Sequence, residues 1–256
     1  MSDPAPPTQP TGLILAMERE FACFAGELDR RPMLTVAGRA FHAGTIDGRP
    51  VVAVMSGIGK VNAAIATTLL VEELGCRAVI CSGVAGAMVP RLGIGDAVVA
   101  TRAIQHDYGA LVDGRLVRYQ PGLPPLPGVP TEHGYDLAAD LLARVRGAVG
   151  DWRPPPFAVG GRDYRPALHY GPVLSGDQFV NCAVSRDRLA DETAGLAVEM
   201  EGAAIAQTAA ALGVPWLVLR TVSDLAGADS HLDFVAFVDA VADGAAALVR
   251  RVLPVV

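Results

Sequence analysis

The sequence predicts a single three-layer α/β domain, a central mixed β-sheet flanked by helices. Three observations carry this. Short apolar runs of buried-strand type alternate with helix-patterned segments. The breaks between them are short and marked by Gly, Pro or Asp-Gly. With 256 residues, 51% of them hydrophobic, the chain is long enough to enclose one large core. Aromatics are only 5%, so Ala, Val and Leu must fill that core.

In chain order, GLILAM (12–17) reads as a buried strand and EREFACFAGELDR after it as helical. MLTVAG, FHAGTIDG and RPVVAVMSG are three strand-like runs, the last two joined by the hairpin dipeptide Asp47-Gly48. Residues 60–74 carry Val61, Ile65 and Leu69 at helical spacing, with Gly75 placed to cap the C-terminus. RAVICSGVAG and GDAVVATRAI are again strands. LAVEM (196–200) runs into the small-residue helix EGAAIAQTAAALG, stopped by Gly213 and Pro215, and WLVLRTVSD follows as a strand. The last helix opens on a capping box, Ser230 with Asp233. Phe234, Val238, Val241, Ala245, Leu248 and Val252 line one side of it, and Asp239, Asp243 and Arg250 the other. The domain spans 12–256, and no internal repeat interrupts it. Residues 108–170, with the Pro-rich PGLPPLPGVP (121–130) and a helix at 134–148, read as an insertion or elaborated loop within it. Residues 1–11 read as a disordered Pro-rich leader without the basic and apolar regions of a signal peptide.

A formal charge of −6 disfavours nucleic acid and anionic membranes as partners, since both select a basic face. Apolar stretches are broken before they reach membrane-spanning length, which predicts a soluble, cytoplasmic protein. Cys23, Cys76, Cys81 and Cys182 form no CxxC pair and have no zinc spacing; they read as buried, reduced thiols.

Ligands of α/β sheets gather at the carboxyl ends of strands. Four such ends here carry polar residues: AMERE with Glu18 and Glu20, SGIGK (56–60), Glu199-Met200-Glu201, and Arg220 with Ser223 and Asp224. Each alone has an ordinary explanation. An acidic residue at a helix start favours the helix dipole, and SGIGK lacks the spacing of a P-loop. Met200 and Phe179 could be plain core, His106 and His231 satisfied polar residues, Lys60 a cap or a solvated charge. Together, four acidic or Gly-rich strand ends point to a small-molecule site.

AMERE, SGIGKVNAA, GVAG with the later GDAVVA, QHD (105–107), SGDQFV, VEMEGAAIA and RTVSD…SHLDF, taken in this order, resemble the 5′-methylthioadenosine/S-adenosylhomocysteine nucleosidases of the nucleoside phosphorylase and hydrolase superfamily. The resemblance covers roughly 12–107 and 171–237; the stretch 108–170 departs from the family pattern. It implies a cofactor-free, metal-free hydrolase that releases adenine from a 5′-thio-adenosine. Glu20 would be the general base on the attacking water, and Asp224 the acid that protonates the imidazole-ring nitrogen of adenine. Glu201 would hold the ribose hydroxyls, Met200 would pack on the sugar, and Phe179 would lie against the purine, whose edge the Val180 backbone would read. Ser223 would orient Asp224, Arg220 would help hold Glu20 and the water, and Met17, Ile58 and Phe234 would shape the walls. Glu199 would be a supporting residue.

The roles are chemically coherent. Cleaving an N-glycosidic bond leaves positive charge on the sugar and negative charge on the base; an acid whose pKa is raised by burial can neutralise the base near neutral pH. Carboxylates beside the sugar stabilise the oxocarbenium-like transition state. The turn Cys81–Gly86 holds no arginine for phosphate, and Glu20 would repel an anion, so water is the expected nucleophile. The family carries a hydroxyl residue at the position of Val84. Ser82, the other hydroxyl nearby, is expected to point elsewhere on an alternating strand. Other 5′-substituted adenine nucleosides (futalosine or adenosylhopane type) remain open as substrates, as does a catalytically weak nucleoside-binding protein on the same fold. The resemblance also implies a homodimer in which a loop of one subunit closes the other's pocket, and the stiff segment 121–130 is suited to that lid.

Overall fold

The computed structural model describes residues 9–228 and 230–256. The first eight residues of the expected leader lie outside the described residues. Its last residue, Thr11, already belongs to the sheet, as the first residue of β1 (Thr11–Leu15).

The helical segment after β1 is shorter than its pattern suggests. α1 holds only Glu18–Ala22, and one tight turn over Ala25–Glu27 follows. The break lets Phe24 enter the core and sets Glu27 against Arg250 of the last helix, at 2.6 and 2.5 Å. β2 (Leu34–Val36), β3 (Arg39–Ile46) and β4 (Arg49–Met55) form an antiparallel meander. Asp47 and Gly48 both have positive φ (46° and 76°), the conformation a two-residue hairpin turn requires. α2 (Lys60–Thr68) runs on through a wider turn over Leu69–Glu73, and the Leu74 N–H reaches the Leu69 carbonyl at 3.1 Å.

The face that α2 buries is not the one expected. Ala63, Ala66, Thr67 and Leu70 point inward, whereas Val61 is 70% exposed and Ile65 36%. α2 packs closely on another small-residue helix, α5 (Gly202–Leu212), and only short side chains fit between them. The larger aliphatics are left outside.

β5 (Ala78–Ala87) and β6 (Ala97–Gln105) match the expected strands. The stretch 108–170 is no bare loop. It supplies the hairpin β7 (Gly109–Val112) and β8 (Arg115–Arg118), then β9 (Tyr135–Asp136), which pairs with β6. α3 (Ala139–Val149) follows, burying Leu141, Val145 and Val149, and then the hairpin β10 (Phe157–Val159) and β11 (Arg162–Tyr164). PGLPPLPGVP remains without regular structure. Two elements had no expectation: β12 (Leu168–Ser175) and α4 (Ala183–Thr193). β13 (Ala197–Glu199), β14 (Trp216–Asp224) and α6 (Ser230–Val252) complete the chain.

The main sheet has the order β13-β12-β6-β14-β5-β1-β4-β3-β2. β13 also pairs antiparallel with β5 through Val198↔Gly86, so five strands close into a ring at that end. β4, β1, β5 and β14 run parallel, with their carboxyl ends at one edge. The ring closure brings residues 199–201 to the same place. α2 and α5 cover one face, and α6 with α1 and α3 covers the other, giving the three layers. Val238, Val241, Ala245, Leu248 and Val252 of α6 are buried as expected, and Phe234 is half-buried. All four cysteines are free thiols; Cys76 and Cys81 are buried, but Cys23 is half-buried and Cys182 exposed. No helix among the described residues is long and apolar enough to cross a membrane.

Candidate active site

A cavity of about 210 Å³ opens where these strand ends converge. It is lined by Met17, Glu20, Ile58, Val84, Phe179, Met200, Glu201, Arg220, Ser223, Asp224 and Phe234, together with Ala16, Ala85, Gly86, Val198 and Glu199. Val180, the one expected residue absent from that lining, borders a small recess beside it with Gly86, Phe179, Met200 and Asp224. A larger groove of about 970 Å³ between the β7–β8 hairpin and α4 shares only Phe179 with that cavity and none of the buried carboxylates. Glu20, Glu199, Glu201, Arg220 and Asp224 all line the smaller cavity.

Glu20 sits in α1, one turn after β1. Its Oε2 accepts the N–H groups of Ala16 (2.8 Å) and Met17 (3.0 Å), and its Oε1 accepts that of Val84 (3.1 Å). Three backbone donors hold the carboxylate in one pose, and Oε1 keeps a lone pair for a further donor. Burial nevertheless raises its pKa, against the opposing effects of Arg220 and the three N–H groups.

The segment Gly83–Gly86 is the carboxyl half of β5, not a turn. Its glycines admit the acids. A Cβ at Gly83 would stand 2.5 Å from both Arg220 Nη1 and Glu20 Oε1, and one at Gly86 would stand 2.8 Å from Asp224 Oδ1. Ser82 and Val84 lie two residues apart on a strand in unbroken register from Trp216↔Val79 to Val222↔Ala85. They therefore share a face, contrary to the expectation that Ser82 points away; Val84 lines the cavity and Ser82 does not.

Arg220 is fully buried and bonds Glu199, with Glu201 Oε2 at 3.4 Å and Cys81 Sγ at 3.1 Å. It makes no hydrogen bond to Glu20, contrary to expectation, and acts on it only through its charge. Its register opposite Gly83 explains this, because the guanidinium passes the empty Gly83 position on the way to Glu199. Glu199 also accepts the N–H groups of Glu201 (3.0 Å) and Gly202 (2.8 Å) and the Ser175 hydroxyl, so it caps α5 and anchors Arg220 at once. Removing Arg220 alone would strand these carboxylates, a loss of about 3–5 kcal/mol for a broken buried pair. Glu201 Oε1 accepts the Gly59 N–H at 2.9 Å. Burial and the neighbouring Glu199 charge push its pKa up to about 7.

Asp224 ends β14. Its Oδ1 accepts the Ala226 N–H (2.9 Å) and its Oδ2 the Ser223 hydroxyl (3.0 Å). Burial raises its pKa, only partly offset by these bonds. Phe179 meets Phe234 edge-on with ring centroids 6.4 Å apart, and Ile58 is 53% exposed at the rim.

Lys60 is not a mere cap: its Nζ bonds Asp107 Oδ1 at 2.6 Å and Gln105 Oε1 at 3.2 Å. His106 is buried against Gly176, and its Nε2 has no hydrogen-bond partner among the described residues, so it is not the satisfied histidine expected; His231 is exposed. Sequence reasoning missed Ser175 and Asp107. Their signal was the proximity of QHD and SGDQFV, which only the β6–β12 pairing reveals.

The arrangement has documented counterparts. A model of the phosphorylase superfamily matches residues 10–254. The 5′-methylthioadenosine/S-adenosylhomocysteine nucleosidase of Mycobacterium bovis is 44% identical over 95% of this chain and 96% of its own length. The nucleosidase of the same name from Anoxybacillus flavithermus is 36% identical over 93% and 95%. Among solved structures, the Helicobacter pylori enzyme of that name with butyl-thio-DADMe-Immucillin-A superposes with a TM-score of 0.80 at 28% identity, covering 97% and 99% of the two chains. A futalosine hydrolase of Helicobacter pylori superposes with 0.78 at 28% identity, covering 96% and 97%. With buried acids lining one cavity and relatives of this similarity over nearly its whole length, the chain belongs to the 5′-methylthioadenosine/S-adenosylhomocysteine nucleosidase family of the phosphorylase superfamily.

Proposed function

We propose that this protein hydrolyses the N-glycosidic bond of 5′-methylthioadenosine, S-adenosylhomocysteine or both, releasing adenine. The observation that carries the reading is the cavity in which Glu20 and Asp224, both buried with raised pKa values, flank Glu201 and Met200. The bond electrons pass to adenine, and Asp224 supplies a proton to its imidazole ring. A water held by the free lone pair of Glu20 Oε1 adds to the anomeric carbon and gives its proton to Glu20. Glu201 binds the ribose hydroxyls, Met200 packs on the sugar, and Phe179 and the Val180 backbone take the purine. Met17, Ile58 and Phe234 form the walls toward the 5′ end. Ser223 orients Asp224, and Arg220 fixes Glu199 and Glu201. The products are adenine and the 5′-thioribose.

Water is the nucleophile, because the Glu20 carboxylate occupies the ground a phosphate would need. At position 84 only the backbone N–H, not a side-chain hydroxyl, bonds Glu20.

We further infer a homodimer. None of residues 108–170 lines the chain's own cavity, and its rim carries exposed Ile58 and Phe179. Exposed Val61 and Ile65 continue that apolar surface along α2, and Leu123, Leu126 and Leu111 are exposed on the elaborated segment. A second copy placing 121–130 over the first copy's 5′ end would cover both.

The test is nucleobase release across a panel of 5′-substituted adenosines and futalosine, with and without phosphate. Turnover on the two thio-nucleosides independent of phosphate is expected. Ribose-1-phosphate-type product in proportion to added phosphate would overturn the hydrolase reading, and turnover confined to futalosine would move the chain to the other neighbour's reaction.

A further inference from the structure

Three loop tips meet behind the cavity: the start of α2, the end of β6 at Gln105–Asp107, and the turn after β12 at Gly176–Asp177. Three hydrogen bonds tie them into a closed ring. Lys60 Nζ donates to Asp107 Oδ1 at 2.6 Å. The Asp177 N–H donates to Asp107 Oδ2 at 2.8 Å. The Lys60 N–H donates to Asp177 Oδ1 at 2.9 Å. The Lys60 and Asp107 side chains are only 17% and 16% exposed, so solvent screens their pair weakly.

Two of the three tips lead directly to a group expected to face the nucleoside. Gly59, next to Lys60, gives its N–H to Glu201 Oε1. Its φ of 102° is open to glycine, and a Cβ there would press to 3.2 Å of Asp177 Oδ1. Asp177 stands two residues before Phe179 and three before Val180. The ring therefore fixes the spacing between the ribose-side turn and the purine-side loop. Asp107 is its hinge pin, since its two oxygens bind the two sides separately. Without that carboxylate, the Lys60 ammonium is free to swing to Asp177 Oδ2, now 4.0 Å away, and to draw the purine-side loop with it.

The groups that hold the two proton-transfer acids lie outside the ring. Glu20 is held by the N–H groups of Ala16, Met17 and Val84, and Asp224 by Ala226 and Ser223.

We propose that Asp107, paired with Lys60, is a positioning residue that sets substrate affinity by holding the ribose and purine halves of the cavity at their working distance, while leaving the proton-transfer machinery intact. The proposal rests on the nucleosidase reading.

The experiment compares wild type with Asp107→Asn, Lys60→Met and the double variant of the full chain. It measures KM and kcat for 5′-methylthioadenosine by adenine release, and the thermal midpoint. The expected result is a KM raised about tenfold in each single variant, about 1.4 kcal/mol of lost binding, with kcat within about threefold of wild type. The double variant should be no worse than either single one, because both break the same ring. If Asp107→Asn fails to fold, Asp177→Ala at the exposed corner, which removes the oxygen that accepts the Lys60 N–H, should raise KM in the same way. Unchanged KM in the variants, a fall in kcat alone, or fully additive KM effects would overturn the proposal while the nucleosidase reading stands. A wild-type chain that releases no adenine would overturn both.

Discussion

Replacing Asp224 by Asn separates proton donation from everything else that residue does. The amide keeps the shape of the carboxyl. Its oxygen still accepts the Ala226 N–H, and the Ser223 hydroxyl, either donor or acceptor, turns to receive the new N–H. What is lost is the transferable proton. A well-placed general acid contributes about 10²–10⁴ in rate, or about 2.7–5.4 kcal/mol at 1.36 kcal/mol per decade. The loss should fall in the upper half of that range, because no other acid can take over: Glu199 and Glu201 are bound to Arg220, and Glu20 is tied to α1 and β5. Initial rates of adenine release give the effect on turnover, and equilibrium binding of adenine shows that the pocket survives. Stability should move the other way. The folded pKa of Asp224 is raised from 3.8, so its contribution is full below that value and is lost as pH rises through the folded value. The amide escapes this loss, and the variant should therefore gain on wild type in urea unfolding at pH 8 relative to pH 4. A variant retaining more than about a tenth of turnover would show that Asp224 is not the acid, and one that loses ground to wild type between pH 4 and pH 8 would show that its carboxyl is not strained by burial.

Glu20→Gln should cut turnover by about 10²-fold or more with little change in substrate affinity, whereas Glu201→Gln should weaken binding as well; equal affinity losses would contradict the division of labour. Glu201, raised from 4.5 to about 7, makes the fold less stable as pH climbs through neutrality. That decline between pH 5.5 and 8.5 in denaturant titrations should be smaller in Glu201→Gln. Replacing 121–130 by a Gly-Ser linker should raise KM for 5′-methylthioadenosine far more than for adenosine; equal effects, or a fully active monomer by sedimentation, would remove the lid from the model.

The site was legible where chemistry is local. Glu20, Glu201 and Asp224 each follow an apolar strand run, and a charged residue at such a junction stands out against the pattern around it. Partners across the sheet were not legible. That Arg220 serves Glu199 and Glu201 rather than Glu20 depends on its register against Gly83, which no spacing in the sequence encodes. β12 escaped notice because Gly171-Pro172 interrupts its apolar run; the structure places a register shift there, where the missing proline N–H does no harm. α4 buries only Leu189 and so shows no helical stripe. The stripe of α2 was visible but misleading, since apolar periodicity reports a surface that some element will cover without saying whether that element belongs to the same chain.

The three-residue strand β13 has a wider consequence. By bonding β12 on one side and β5 on the other, it shuts the sheet into a ring, and the charges of Glu199 and Arg220 sit at the seam. An element closed on both sides cannot fray from an edge. Opening the acidic cluster to solvent means breaking the ring, and with it the packing of β5 and β14 on α6. Amide protons of Val198 and Glu201 should thus exchange with solvent only through whole-molecule unfolding. The buried cluster of Glu199, Glu201 and Arg220 is then among the last parts of the protein to come apart under stress.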